Sequence, residues 1–261
     1  MNTLKKGSKG DEVKQLQLLL GVAQDGIFGS ATESAVKTFQ SSHGLAADGI
    51  VGEKTWKALK ENSEGASEEC DLKIINKFLS KHITSLPNRE IKYLAIHYTA
   101  GGSSSPGSAQ AIYNVFSQRS ASADFAVDDR DIVQFNPDLK NYYCWAIGDK
   151  GTGTLKNQAT NRNTISIEIC SNLAKGTSAA VPNHSGWTFS DVSLKNALNL
   201  AKYLMRKYNI PKERVIRHYD VTGKLCPGII GWNDGALYET TGQVTKEKNS
   251  CSCWNKFKTN L

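Results

Sequence analysis

The first 62 residues contain three stretches in which hydrophobic residues recur at helical spacing. In the first stretch, Val13, Leu16 and Leu20 occupy positions i, i+3 and i+7, so they lie on one face of a helix. The predicted helices cover residues 11–20, 30–42 and 53–60. The pattern thus predicts three short amphipathic helices, and therefore a small all-α domain, over residues 1–62.

An internal repeat separates these helices. The segment DGIFG at 25–29 recurs as DGIVG at 48–52, and each Asp-Gly pair predicts a turn before a helix. The composition then becomes small, polar and acidic at 63–72, which is typical of an exposed linker. We therefore expect a second domain over residues 73–261.

Strand-like and helical patterns alternate in this second part. Predicted helices cover residues 71–82, 108–118 and 190–208. Predicted strands cover residues 91–98, 123–127, 132–135, 142–147, 164–170 and 215–218. The alternation predicts an α/β domain with a central mixed sheet flanked by helices, so the whole chain is multidomain.

Composition restricts the possible partners. With 39% hydrophobic and 22% charged residues, the 261-residue chain has the composition of a soluble globular protein. No apolar run reaches the roughly 18 residues of a membrane span, and the first residues show no apolar signal segment. A net charge of +7 favours anionic surroundings such as cell-wall polymers. The bases are scattered rather than clustered with aromatic residues, which disfavours nucleic acid.

The segment 217–228, RHYDVTGKLCPG, concentrates the candidate chemistry. It contains His218 and Cys226, and another histidine, His97, ends an apolar strand-like run. Two histidines and a cysteine suit Zn²⁺, and three protein ligands leave a fourth position open, as in catalytic sites. The alternative is a buried histidine, a surface histidine and an inert thiol, since short motifs produce false matches.

The two halves of the chain resemble known families. The residues GSKG at 7–10, DGIFGSATESAVKTFQ and GLAADGIVGEKTWKAL make residues 4–60 similar to the peptidoglycan-binding domain 1 family. This resemblance implies a small all-α three-helix bundle for the first domain. The residues AIHYTA, SADFAVDDRDIVQF, NTISIE and KLCPG make residues 93–233 similar to the type 2 N-acetylmuramoyl-L-alanine amidase family, which shares its fold with peptidoglycan recognition proteins.

The second resemblance implies roles for five residues. The zinc ligands of that family match His97, His218 and Cys226, the residue that activates water matches Glu168, and the cation that stabilises the oxyanion matches Lys224. Relatives that bind peptidoglycan without cleaving it lack the cysteine ligand, so Cys226 favours an enzyme.

The chain also departs from the family pattern. Ala146 stands where relatives often carry a histidine, and Ala123 stands where some phage members carry a tyrosine, which leaves water activation to Glu168 alone. Asp220 is a candidate to orient His218, and His184 is a candidate to contact substrate from a loop at 172–187.

The resemblances together imply a zinc-dependent amidase that cuts between N-acetylmuramic acid and L-alanine in bacterial peptidoglycan. We expect a monomeric endolysin or autolysin that acts at the cell wall and is released at lysis. A non-catalytic peptidoglycan-recognition protein and a zinc peptidase that cuts within the stem peptide remain alternatives. A glycosidase needs paired carboxylates, and no such pair stands beside the proposed site.

Overall fold

The computed structural model describes residues 2–20, 22, 24–64, 72–148, 151–174, 183–233, 237–240, 243–246 and 251–261. The chain divides into two compact units, Met1–Asp71 and Leu72–Leu261, and each is described by itself. The predicted linker at 63–72 falls largely on residues 65–71, which lie outside the described residues. No described helix combines the length and apolar character that crossing a bilayer requires.

The first unit confirms the all-α prediction. Its helices are α1 (Asp11–Leu20), α2 (Ser30–Ser42) and α3 (Glu53–Glu64), so only the third differs from its predicted range. The apolar stripes of the three helices and the loops before them form one core. That core contains Leu4, Val13, Leu16, Phe28, Val36, Phe39, Val51, Trp56 and Leu59.

A buried glutamine stabilises each copy of the repeat. Gln17 donates from Nε2 to Asp25 Oδ1 at 2.7 Å, and Gln40 makes the same contact with Asp48 at 2.9 Å. In its own copy, each carboxamide also bonds a glycine N–H, a backbone carbonyl and a threonine hydroxyl. Because both glutamines are only 1% exposed, these contacts replace bonds to water that burial removes.

The second unit is built on a six-stranded mixed sheet in the order β1-β5-β4-β7-β3-β10. Its strands are β1 (Ile74–Asn76), β3 (Tyr93–Tyr98), β4 (Phe125–Val127), β5 (Ile132–Gln134), β7 (Thr164–Ile169) and β10 (Val215–Arg217). The shorter pairs are β2 (Ile83–Ser85) with β6 (Tyr142–Cys144), β8 (Asn172–Leu173) with β9 (Trp187–Thr188), and β11 (Leu237–Thr240) with β12 (Gln243–Lys246). This architecture confirms the α/β prediction with a central mixed sheet.

The helices of this unit are α4 (Ser108–Gln118), α5 (Asp191–Tyr208), α6 (His218–Thr222) and α7 (Ser252–Thr259). Ser190 caps α5 by accepting a hydrogen bond from the Ser193 N–H at 3.0 Å. Buried residues of α5 such as Leu200 pack in one core with Ile96 of β3 and Ile167 of β7. Because side chains alternate along a strand, the neighbours of those isoleucines face the opposite side of the sheet.

The predicted helix over 71–82 is wrong. Strand β1 lies within this segment and pairs with β5 in parallel. The Lys77 and Leu79 N–H groups continue this pairing by donating to the Gln134 and Phe135 carbonyls, each at 2.9 Å. The edge of the sheet thus supplies the backbone hydrogen bonds that a local helix would have made, and the helical spacing of apolar residues was coincidental.

Four predicted strands end earlier than expected, and those predicted over 132–135 and 164–170 end one residue early, at Gln134 and Ile169. The strand predicted over 142–147 ends at Cys144, and the strand predicted over 215–218 ends at Arg217. His218 instead begins α6, because Asp220 accepts a hydrogen bond from the Arg217 N–H at 2.8 Å and starts a helical turn.

Candidate active site

Two adjacent strands place a histidine and a carboxylate side by side. Strands β3 and β7 are parallel neighbours, and His97 lies directly opposite Glu168 in their register. The flanking isoleucines of both strands pack against α5, so His97 and Glu168 face the other side of the sheet. His97 Nδ1 and Glu168 Oε1 are 4.0 Å apart.

The second histidine comes from the strand on the other side of β3. Arg217 of β10 is paired with Ile96, so the next residue, His218, falls beside His97. The two imidazole ring centroids are 4.7 Å apart at an interplanar angle of 51°. The end of one strand and the start of α6 therefore bring together two histidines that are distant in sequence.

Cys226 completes the group from the loop after α6. This loop is held by the Tyr219 N–H, which donates to the Cys226 carbonyl at 3.0 Å, and by Asn233 Nδ2, which donates to the Pro227 carbonyl. Cys226 Sγ lies 3.7 Å from His97 Nδ1. One donor atom from each of His97, His218 and Cys226 lies within 4.8 Å of the others, and all three residues are buried.

These residues line a cleft of about 260 Å³, which we call the metal-ligand cleft. Glu168 and Lys224 line the same cleft, so the structure brings together all five site residues indicated by the sequence. The remaining lining residues are Tyr98, Thr99, Ala100, Ile112, Val115, Phe116, Arg119, Ala121, Ser122, Trp145 and Ala146.

The weaker candidates lie elsewhere or take other partners. Asp220 accepts hydrogen bonds from Arg217 Nε at 3.1 Å, so its carboxylate pairs with that guanidinium rather than orienting His218. His184 Nδ1 accepts from the Gly186 N–H at 2.8 Å, and His184 does not line the cleft. Ala123 is fully buried, whereas Ala146 presents a methyl group to the cleft.

Burial controls the protonation of the site. It lowers the pKa of His97 well below its usual range, with smaller contributions from His218 and Lys224. Burial also lowers the pKa of His218 to about 4, again assisted by Lys224. Both imidazoles are therefore neutral at pH 7, which is the form that binds metal ions.

The two remaining ionisable groups shift the other way. Burial raises the pKa of Glu168 to about 8, and Lys224 partly opposes the increase. Burial, followed by the Glu168 carboxylate, raises the pKa of the Cys226 thiol. A bound divalent cation would reverse both effects, because positive charge favours the carboxylate and the thiolate.

The donor set fits a metal ion of borderline softness. Two neutral imidazoles and a thiolate are typical ligands of such ions. Among the described residues, His97 Nε2 and Glu168 Oε2 are buried and have no hydrogen-bond partner. Leaving buried polar atoms unpaired is costly, so a ligand in the cleft would relieve that cost.

One wall of the cleft was not predicted from the sequence. Helix α4 contributes Ile112, Val115 and Phe116, and Arg119 follows its last residue. The periodicity predicted this helix. The sequence around it, however, does not indicate that the helix packs beside the ends of β3 and β7. The wall makes the cleft apolar on one side and adds a guanidinium at its edge.

Two family models match the two parts of the chain. The family model described as N-acetylmuramoyl-L-alanine amidase matches residues 87–229, and a peptidoglycan binding domain model matches residues 9–59. The N-acetylmuramoyl-L-alanine amidase CwlA of Bacillus subtilis (strain 168) is 29% identical over 159 residues, which cover 60% of this chain and 51% of that protein. XlyB, an amidase of the same strain, is 29% identical over 171 residues, covering 65% and 47% respectively. The chain thus spans about half the length of the curated relatives it matches.

Solved structures show a similar range of identity. A mutant endolysin from Bacillus subtilis is 27% identical, covers 72% of this chain and 98% of its own, and gives a TM-score of 0.47. The catalytic domain of XlyA is 25% identical, and the match covers 72% of this chain and 97% of that domain with a TM-score of 0.46. The amidase family model alone matches more than half of the 261 residues and includes all five site residues. The chain therefore belongs to the N-acetylmuramoyl-L-alanine amidase family.

Proposed function

We propose that this chain is a zinc-dependent N-acetylmuramoyl-L-alanine amidase. It hydrolyses the amide between the lactyl group of N-acetylmuramic acid and the L-alanine of the stem peptide in bacterial peptidoglycan. The observation that carries the proposal is the convergence of His97, His218 and Cys226 within 4.8 Å in a cleft that also contains Glu168. Membership of the amidase family supports the same reaction.

His97, His218 and Cys226 hold the metal in this proposal. Burial keeps the two imidazoles neutral, and the thiol gives up its proton when the cation binds. When bound, Zn²⁺ polarises the scissile carbonyl and lowers the pKa of water in the cleft toward about 7. With three protein ligands, one position stays open for the reaction.

Glu168 acts as the general base and then as the general acid. Its Oε2 has no partner among the described residues, so it can accept a proton from the attacking water. The same carboxyl then donates that proton to the nitrogen of L-alanine as the amide bond breaks. A positioned proton-transfer group of this kind typically contributes about 10²–10⁴-fold to the rate.

Lys224 acts on the substrate. Lys224 lines the cleft, and its positive charge lowers the pKa values of both histidines. A fixed positive charge stabilises the negative charge that develops on the carbonyl oxygen during attack. We therefore assign Lys224 to oxyanion stabilisation and not to the metal.

The first unit anchors the enzyme on its substrate in this proposal. Residues 1–62 bind peptidoglycan, 63–72 link the domains, and 73–261 form the catalytic domain. Tethering raises the local concentration of cleavable bonds around the active site. We also propose that the chain is an endolysin or autolysin that acts as a monomer at the bacterial cell wall, and its similarity to N-acetylmuramoyl-L-alanine amidases supports action on the wall.

Digestion of purified cell walls followed by mass spectrometry tests the function. We expect new L-alanine amino termini and intact glycan strands. New reducing ends would indicate a glycosidase, cuts within the stem would indicate a peptidase, and binding without products would indicate a recognition protein. Each of these three results would contradict the proposal.

A further inference from the structure

Trp145 lines two cavities. One is the metal-ligand cleft, and the other is a cavity of about 460 Å³ that we call the Arg162 cavity. The lining of the Arg162 cavity consists of Thr84, Tyr143, Trp145, Thr160, Asn161 and Arg162. The two linings share Trp145 and no other residue, so this side chain is their common wall. A ligand that passes over Trp145 would occupy both cavities.

Trp145 is exposed but fixed in position. Its indole Nε1 donates to Thr84 Oγ1, and its backbone N–H donates to Ser122 Oγ, each at 2.8 Å. The ring centroid lies 5.5 Å from that of His82, and yet 41% of the residue remains accessible. An immobilised aromatic surface binds ligands at low entropic cost, because its side chain is already ordered.

The loop at 160–163 is held just as firmly. Asn161 Oδ1 accepts from the Ala146 and Ile147 N–H groups at 3.1 and 2.6 Å, which ties this loop to the one that carries Trp145. The buried Arg89 donates from Nη1 to the Asn161 carbonyl at 3.0 Å. Asn163 Oδ1 accepts from the Thr160 N–H at 2.9 Å. Arg162 therefore lies between two anchored asparagines.

The Arg162 side chain differs from the structural arginines of this unit. Arg130 binds Asp131, and Arg217 binds Asp220. Arg162 is exposed, and its guanidinium has no hydrogen-bond or ion-pair partner within the part of the chain that the structure describes. A planar guanidinium matches a carboxylate in geometry and charge, so a ligand carboxylate is its natural partner.

We propose that the Arg162 cavity is a subsite for a carboxylate-bearing segment of the stem peptide whose scissile end lies in the metal-ligand cleft. This inference rests on the proposed function. In peptidoglycan the free carboxylates belong to the stem peptides, whereas the glycan offers hydroxyl and acetamido groups. Trp145 supports the peptide between the two cavities, Arg162 binds its carboxylate, and Tyr143 and Thr160 add polar groups. The subsite makes the enzyme prefer stems with free rather than amidated carboxylates.

Kinetic measurements on two enzyme variants, each with two substrates, test this preference. Arg162→Gln and the wild type are compared on a soluble muramyl peptide with free stem carboxylates and on the same peptide with those carboxylates amidated. We expect the substitution to raise KM for the free-carboxylate substrate about tenfold, with kcat within about twofold. It leaves KM for the amidated substrate unchanged, and Arg162→Lys gives an intermediate effect. Equal effects on both substrates, or none on either, would overturn the inference.

Arg206→Gln is the matched control, because Arg206 is an exposed arginine on α5, which packs on the opposite face of the sheet. It should change neither KM. Calorimetric titration of the released stem peptide into wild type and Arg162→Gln adds a measurement that needs no turnover. Binding that is weakened by Arg162→Gln, without cleavage of the amide, would refute the proposed function and retain the subsite. Amide cleavage with unchanged binding and KM would refute the subsite alone.

Discussion

Replacing Glu168 by glutamine removes a carboxylate from the cleft with the least change of shape. Glu168 is paired with His97 across β3 and β7, and its Oε1 lies 4.0 Å from His97 Nδ1. Glutamine preserves the side-chain volume but cannot take a proton from water at neutral pH. The three candidate ligands remain in place, so the metal content of the protein should not change.

The expected loss of rate follows from the proton transfer. Without a positioned base, kcat should fall by about 10²–10⁴-fold, which corresponds to roughly 3–5 kcal/mol in activation free energy. The interaction exists only in the transition state, so kcat and kcat/KM should fall by similar factors. KM should therefore change little.

Burial of Glu168 also predicts a pH dependence of stability in the metal-free protein. Burial raises its pKa from an ordinary 4.5 to about 8, so its neutral form is the one the fold favours. The associated stability is fully present below pH 4.5 and is lost as pH rises through about 8, up to about 5 kcal/mol. Because 17% of the side chain remains exposed to solvent, this figure is an upper bound.

The assays are wall turnover with the metal-loaded protein and urea denaturation of the metal-free protein at pH 5 and pH 9. Glu168→Gln should be more stable than wild type chiefly at pH 9. Glu90→Gln is the control, since that carboxylate is exposed and pairs with Lys92 at 2.8 Å. A kcat within about threefold of wild type would refute the catalytic role. A stability difference that is equal at the two pH values would refute the burial argument.

Four further substitutions test other parts of the molecule. Cys226→Ser should lower both bound zinc, measured by atomic emission, and wall cleavage, and full retention of both would remove Cys226 from the ligand set. Lys224→Met should retain zinc but reduce kcat by about 10²–10³-fold, and an unchanged kcat would remove Lys224 from oxyanion stabilisation. Gln40→Ala should destabilise the first unit by about 2–4 kcal/mol, because buried partners lose their hydrogen bonds, and Gln17→Ala should do so equally. Hydrogen exchange of the full chain over residues 9–59 measures both, and unchanged protection would contradict this role.

The hydrophobic pattern predicted the helices correctly where the backbone hydrogen bonds are made between residues close in sequence. Helices α1, α2 and α4 have the bounds that their apolar spacing predicted. The same reasoning gave a wrong prediction for segment 71–82, because its backbone hydrogen bonds go to β5, a strand distant in sequence. A helical spacing of apolar residues therefore does not distinguish a helix from an edge strand.

The site was partly predictable because its chemistry depends on residue type. Two histidines and a cysteine were identified from their ligand chemistry, and Glu168 and Lys224 from the resemblance to the amidase family. The structure places all five in one cleft. The role of Trp145 as a shared wall and the exposure of Arg162 depend on the pairing of β2 with β6 and on a loop anchored by Asn161. These contacts join segments that are distant in sequence, so the local sequence does not predict them.

The pairing of His97 with Glu168 makes the composition of the cleft depend on the register between β3 and β7. A slip of β7 by one residue would present Ile167 or Ile169 to the cleft and force the carboxylate into the apolar layer against α5. His97 and Cys226 are also 129 positions apart, so no short fragment contains the whole ligand set. If these residues bind zinc as proposed, metal capture requires that the strands have already aligned. Zinc retention would then report native sheet assembly, independent of whether substrate is present.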